Sequence, residues 1–316
     1  MSKTLHSLVV LAALALPALA QAEAKRGPDI RIDDVTRFYA LYDATGGHPS
    51  VEQIQNDYLA KGTQSLSEFA VARRVTAQRI ADQLASDPAM YEKAKQCLSA
   101  LPAVKRRLVA TFDKLSSLYP EAKFPPVAIV VGRGRPVGIT NPAGVTIGLE
   151  ALCAADFMNP NLEDRFVHVI AHEYAHIQQS ASNDLKENDP NATVLRLALA
   201  EGVGELVAEL TSGNVGNGRH AEWTRGKEEQ IETAFLRDKD STDLSKWFFN
   251  YKKGSDEPYD LGYWVGYRIA KASYLRATDR KAELKRLIEL GDPKAFLAQS
   301  GWTPGMRLPA SVAGQQ

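Results

Sequence analysis

Cysteine is nearly absent from this 316-residue chain, which holds two, Cys97 and Cys153. That excludes a disulfide-dense scaffold, and neither position has the close spacing of a cysteine-based metal site. In an oxidising compartment a lone pair is a disulfide candidate. It would tie the N-terminal helices to the segment before the central motif described below; the alternative is two buried thiols. Net charge is absent too, since Lys plus Arg and Asp plus Glu each number 38. No global field draws in nucleic acid or an anionic membrane, and no local basic patch replaces it, so a nucleic-acid partner is excluded. There is no internal repeat and no low-complexity tract. What remains is a neutral chain with 44% hydrophobic residues, enough for a sizeable core in one large or two modest domains.

The first residues read as a leader. Lys3 supplies a positive start, and Leu8 to Ala18 is apolar but too short to span a bilayer. Ala18-Leu19-Ala20 and Ala20-Gln21-Ala22 are small-residue cleavage sites, so cleavage is expected after Ala20 or Ala22. No cysteine follows as a lipid anchor. The expectation is an exported protein, periplasmic or secreted, with no transmembrane segment in the mature chain; a retained N-terminal anchor is the alternative.

From Asp29 to Tyr119 the pattern is mostly helical, broken at Gly46-Gly47, Gly62 and Asp87-Pro88. The character changes at Phe124-Pro125-Pro126. Val127 to Val131 reads as a strand, Gly132 to Gly138 as a Gly-rich turn, and Gly144 to Leu149 as a second strand. The turn lacks the G-K-[ST] ending of a phosphate loop, and no helix opens directly after it. Later helices are expected over about Thr193 to Leu210, Glu228 to Leu236 and Leu261 to Leu290, before a loose tail from Pro309.

Between these lies His172-Glu173-Tyr174-Ala175-His176. Phe166, Ile170, Tyr174 and Ile177 recur at helical spacing, which sets one buried stripe. Residues four apart stack on one helix face, so His172 and His176 project together beside that stripe. Two imidazoles so placed can bind one Zn²⁺, with Glu173 adjacent as the base that takes a proton from water. A catalytic zinc needs a third protein ligand and an open position. The next helix offers Glu201 and Glu205, both away from its stripe of Leu195, Leu199, Val203, Leu206 and Leu210. Gly202 and Gly204 sit between them. Glycine inside a helix costs about 1 kcal/mol against alanine, so close approach of another helix is expected there. His168, one turn before His172, reads as a supporting or surface residue rather than a ligand.

H-E-x-x-H followed by a helical Glu, with another acid one turn on, resembles the gluzincin metallopeptidases of the thermolysin kind. The resemblance implies Glu201 as the third ligand and Glu205 as the acid that holds a ligand histidine. In detail the chain is more similar to exported bacterial proteins described as predicted Zn-dependent proteases, related to gliding-motility proteins. Those share H-E-Y-x-H, E-G-x-x-E, a G-Y-x-x-G-Y helix and a closing S-G-aromatic. Here these are His172 to His176, Glu201 to Glu205, Gly262-Tyr263-Trp264-Val265-Gly266-Tyr267 and Ser300-Gly301-Trp302. Family position and phenol chemistry make Tyr263 and Tyr267 candidate catalytic residues beside Glu173, as oxyanion donors; the alternative is aromatic core packing on that helix. The resemblance also implies a sheet edge that pairs with extended substrate, and Gly144 to Leu149 is the expected edge.

The expected fold is therefore α+β, mostly helical and zincin-like, with a small sheet before the H-E-x-x-H helix. The expected division is a leader over 1–22, a helical region over 23–120, a metallopeptidase domain over 121–305 and a tail over 306–316. The expected activity is hydrolysis of peptide bonds in a peptide or protein substrate with a Zn²⁺ cofactor. Two other readings use the same residues: a catalytically silent zinc-site protein serving as an envelope binding or scaffold module, and a non-peptide amidohydrolase. Oligomeric state is not legible.

Overall fold

Four short strands form one mixed sheet in a computed structural model that describes residues 29–312, apart from 136, 142–143, 156–157, 180–190, 217 and 253–257. The leader over 1–22 and the last residues of the tail lie outside the described residues. The strands are β1 (Ile30–Arg31), β2 (Val127–Val130), β3 (Gly138–Asn141) and β4 (Gly144–Gly148). Their order is β1-β2-β4-β3, with β1, β2 and β4 parallel and β3 antiparallel to β4. Every residue of β2 and β4 is buried. That explains an apolar run without alternation at Val127 to Val131, because both faces of these strands are covered.

One expectation is corrected here. Gly144 to Leu149 is not the edge of the sheet: β4 lies between β2 and β3, and Leu149 already opens a helix. The edge strand is β3, whose residues fall where the sequence reads as the end of a turn and the residues after it. Its four positions are too few and too polar for a strand signal, and pairing with β4 imposes the conformation.

The rest is helical, as expected for a mostly helical α+β fold. Helices Asp33–Ala44 and Gln64–Arg73 pack against the sheet, and Ala77–Ser86 and Pro88–Cys97 pack against each other beside it. Tyr58 donates to the Val131 carbonyl at 2.6 Å and Tyr91 to the Gly132 carbonyl at 3.0 Å. The interruption at Asp87-Pro88 is a helix start: Asp87 accepts from the Met90 amide at 3.2 Å and Pro88 occupies the first turn. Cys97 and Cys153 form a disulfide, with Cα atoms 6.4 Å apart.

Five further helices frame the site. They are α1 (Leu101–Leu118), α2 (Leu149–Ala154), α3 (Leu162–Gln178), α4 (Val194–Ser212) and α5 (Leu261–Arg276). Asn161 caps α3 by accepting from the Asp164 amide, and Glu163 and Asp164 complement its positive end. The ring of Tyr174 on α3 packs 4.3 Å from that of Phe112 on α1. Thr193 caps α4, which ends at Gly213 with a φ of 81°. Among the described residues, no helix is long and apolar enough to cross a membrane.

Candidate metal centre

The site is built where α3 and α4 pass each other. His172 and His176, four apart on α3, bring their Nε2 atoms to 3.0 Å. Glu201 on α4 closes a triangle, its Oε2 lying 3.1 Å from His172 Nε2 and 3.3 Å from His176 Nε2. A tetrahedral zinc with ligands near ~2.0–2.1 Å requires donor atoms about 3.3 Å apart. The three atoms thus have the spacing of one face of such a site.

Hydrogen bonding orients the His176 ring. Gln179 Nε2 donates to the Ala200 carbonyl at 2.8 Å, which turns Gln179 Oε1 toward His176. His176 Nδ1 donates to that oxygen at 2.8 Å, so in the neutral ring Nε2 is the acceptor. Behind His172, Nδ1 faces Glu205 Oε1 at 3.1 Å, off the ideal hydrogen-bond direction. With both rings neutral, the converging nitrogens and carboxylate oxygen need a cation among them, a ring proton or a metal ion. The donor set fits zinc, with one carboxylate offsetting part of its charge.

The electrostatics agree. Burial disfavours charge on Glu201 and Glu205, but the histidines facing them win: Glu201 is held down to about 2 and Glu205 is also lowered. Burial likewise opposes protonation of both rings, but Glu201 and Glu205 override it at His172 and Glu201 with Glu173 at His176, raising both above the usual imidazole range. The pocket attracts positive charge from whichever source offers it.

A second set of donors shares His172. Glu205 Oε2 lies 3.1 Å from His168 Nε2, and His168 Nδ1 faces the Asn214 carbonyl at 3.2 Å. Side-chain exposure separates the two sets: 9% at His168, 11% at His172 and 12% at Glu205, against 16% at Glu201 and 22% at His176. The His176–Glu201 side is the more exposed of the two. Behind it His168 links Glu205 to the Asn214 carbonyl, and His168, His172 and Glu205 are themselves close enough to share a metal ion.

The two glycines of α4 have different neighbours. A Cβ on Gly202 would lie 2.0 Å from the Gly266 carbonyl carbon of α5. One on Gly204 would lie 2.8 Å from Cε1 of His172. Gly202 therefore admits a helix, as the sequence suggests, and Gly204 admits the ligand ring itself.

Glu173 points to the sheet. Thr140 Oγ1 on β3 donates to its Oε2 at 2.5 Å. Tyr263 stands beside the metal triangle, its ring 6.3 Å from that of His172 and tilted by 27°. Burial and then the Glu201 carboxylate push its hydroxyl well up, so it remains a proton donor. Tyr267 is placed elsewhere. Its hydroxyl donates to Glu209 Oε2 at 2.5 Å and accepts from Lys271 Nζ at 2.8 Å. Lys271 also donates to the Ala310 carbonyl and the Val312 amide to Glu209, so this cluster fastens the C-terminal segment. One face of α5 carries both tyrosines, but its two ends meet different partners. Thr140, Gln179 and Asn214 have no signal in the sequence, because their roles exist only through contacts made across the fold.

Residues 154–290 match the model of a family described as predicted Zn-dependent protease (DUF2268). No curated protein matches the chain, and no solved structure does. The matched span contains all of His168, His172, Glu173, His176, Glu201, Glu205 and Tyr263. It begins after the sheet, so Thr140 lies outside it. Over that span the chain is similar to a family of zinc-dependent proteases whose activity is itself an inference.

Proposed function

We propose that the protein is an exported zinc metallopeptidase of the gluzincin kind. The observation that carries this reading is the triangle of His172 Nε2, His176 Nε2 and Glu201 Oε2, with sides of 3.0, 3.1 and 3.3 Å. His172, His176 and Glu201 would hold the metal, and Glu205 would orient His172 through Nδ1. When bound, zinc supplies Lewis acidity, polarising a carbonyl and bringing the pKa of water toward ~7. The remaining steps belong to side chains. Glu173 takes the proton of the attacking water and passes it to the leaving amine. Tyr263, kept protonated by burial, would donate a hydrogen bond to the oxyanion. Peptide-bond hydrolysis is favoured over a silent scaffold because a metal held only for structure has no use for Glu173 beside it. Export is supported by the leader pattern and by the Cys97–Cys153 disulfide, a bond typical of oxidising compartments.

The test is metal analysis together with a proteome-derived peptide library, comparing wild type with Glu173→Gln. The variant should keep its zinc, since Glu173 is not a ligand, and lose hydrolysis. Full activity in the variant would remove the metallopeptidase reading.

A further inference from the structure

The H-E-x-x-H motif names a base but does not say what aims it. A glutamate has several staggered rotamers, and one at a helix surface samples them unless something holds it. On this chain the holding group comes from the sheet. Thr140 Oγ1 reaches both ends of Glu173, with the main-chain carbonyl at 3.1 Å and Oε2 at 2.5 Å. The hydroxyl has one proton, and an ionised carboxylate is the stronger acceptor, so the proton goes to Oε2. Gly138 lies two residues earlier on β3 and so faces the same way. A Cβ there would stand 3.0 Å from Glu173 Oε1 and 3.2 Å from Ile147 Cδ1. Ordinary contact begins near 3.4 Å, so a side chain at 138 would push the second carboxylate oxygen off its place.

We propose that Gly138 and Thr140 on the edge strand β3 form a seat that fixes the Glu173 carboxylate, Thr140 by binding one oxygen and Gly138 by leaving room for the other. Thr140 is a positioning residue: it acts through Glu173. The seat divides the labour of the two oxygens. Oε2 is tied to the sheet, and Oε1 is the one left to take the proton. It also couples the base to the strand, since β3 is held from one side only, by β4. This inference rests on the metallopeptidase reading for its catalytic consequence, but the contact itself does not.

The experiment has two arms. In the first, Thr140→Val, Thr140→Ser and Gly138→Ala are compared with wild type on a peptide that wild type cleaves. Valine keeps the branched shape and removes the donor. Loss of a hydrogen bond to a charged group, with the base left to wander, should lower kcat about 10–100-fold. KM and zinc content should stay within about twofold. Serine should recover most of the loss, and Gly138→Ala should lower kcat in the same direction. In the second arm the metal-free protein is melted in the four combinations of Thr140 or Val with Glu173 or Ala. Thr140→Val should lower the midpoint by roughly 2–4 °C when Glu173 is present and by much less when it is absent. The seat is overturned if the valine variant keeps wild-type kcat, if serine behaves like valine, or if the melting shifts simply add. A wild type that hydrolyses nothing sinks the peptidase reading and the catalytic role with it, while the melting arm still reports the contact.

Discussion

Replacing Gly266 by alanine sets two effects against each other, and the structure says which should win. Alanine is the better helix former, which favours the variant by about 0.5–1 kcal/mol. Against this, a Cβ on Gly266 would stand 1.7 Å from the Ala198 carbonyl oxygen and 2.4 Å from its carbon. An unstrained carbon–oxygen contact needs about 3.3 Å, so the shortfall is roughly 1.6 Å. The obstructing atoms are main chain of α4, and no rotamer change relieves them. The crossing is tight from both sides, because the Cβ of a residue at Gly202 would meet the Gly266 carbonyl carbon at 2.0 Å. Overpacking of this kind costs about 1–3 kcal/mol and more where backbone must move. The net expectation for Gly266→Ala is a loss of about 2 kcal/mol or more, seen as a fall in melting midpoint of roughly 4–8 °C for the metal-free protein. Gly218 is the control. It has open space around it, so Gly218→Ala should be neutral or slightly stabilising. A Gly266→Ala variant that melts at or above the wild-type midpoint would refute the reasoning.

Two further outcomes follow from the site and its surroundings. Glu201→Ala should lose zinc far more severely than Glu205→Ala, which should weaken it about 10–100-fold, in competition with a chelator; the reverse order would exchange their roles. Glu150 is buried in α2, where it accepts from the Gly134 amide at 2.9 Å, and burial raises its carboxyl above the ordinary range. The folded state then binds the proton more tightly than the unfolded one, so this group's contribution is present at low pH and lost as pH rises through its folded value. Glu150→Gln should therefore gain stability relative to wild type as pH rises above the ordinary carboxyl range, and parallel melting profiles would show otherwise.

Periodicity carried the reading of α3 and α4 because both helices are long and their spacing is a local property. The same tool could not see β3. Gly138 to Asn141 has one well-buried apolar residue, Ile139, and its conformation comes from its partner strand. Nor could it separate Tyr263 from Tyr267. They are four apart on one helix face, and only the position of Glu209 shows that the second faces another cluster. The glycines of Glu201-Gly202-Val203-Gly204-Glu205 signalled a close approach, but a sequence does not say of what. One admits the backbone of α5 and the other the ring of His172. The chemistry-bearing residues were thus visible as types and spacings. The residues that aim them were not, because a threonine on an edge strand looks like any other until the fold brings it to a carboxylate.

The helix α4 carries a ladder that extends the motif beyond its recognised part. Glu201, Glu205 and Glu209 stand at successive intervals of four, so all three face the same way. Glu201 meets His172 and His176, Glu205 meets His172 and His168, and Glu209 meets Tyr267 and Lys271. Their side-chain exposure falls along the series, from 16% to 12% to 0%. Three identical carboxylates therefore have three uses, set by depth alone. At the shallow end a carboxylate can share a cation with water and substrate. In the middle, both oxygens of the carboxylate face histidines. At the sealed end the charge is answered by a lysine and a main-chain amide, and the rung fastens the C-terminal segment over the fold. A catalytic metal requires an open position, and of the three rungs Glu201 is the most exposed.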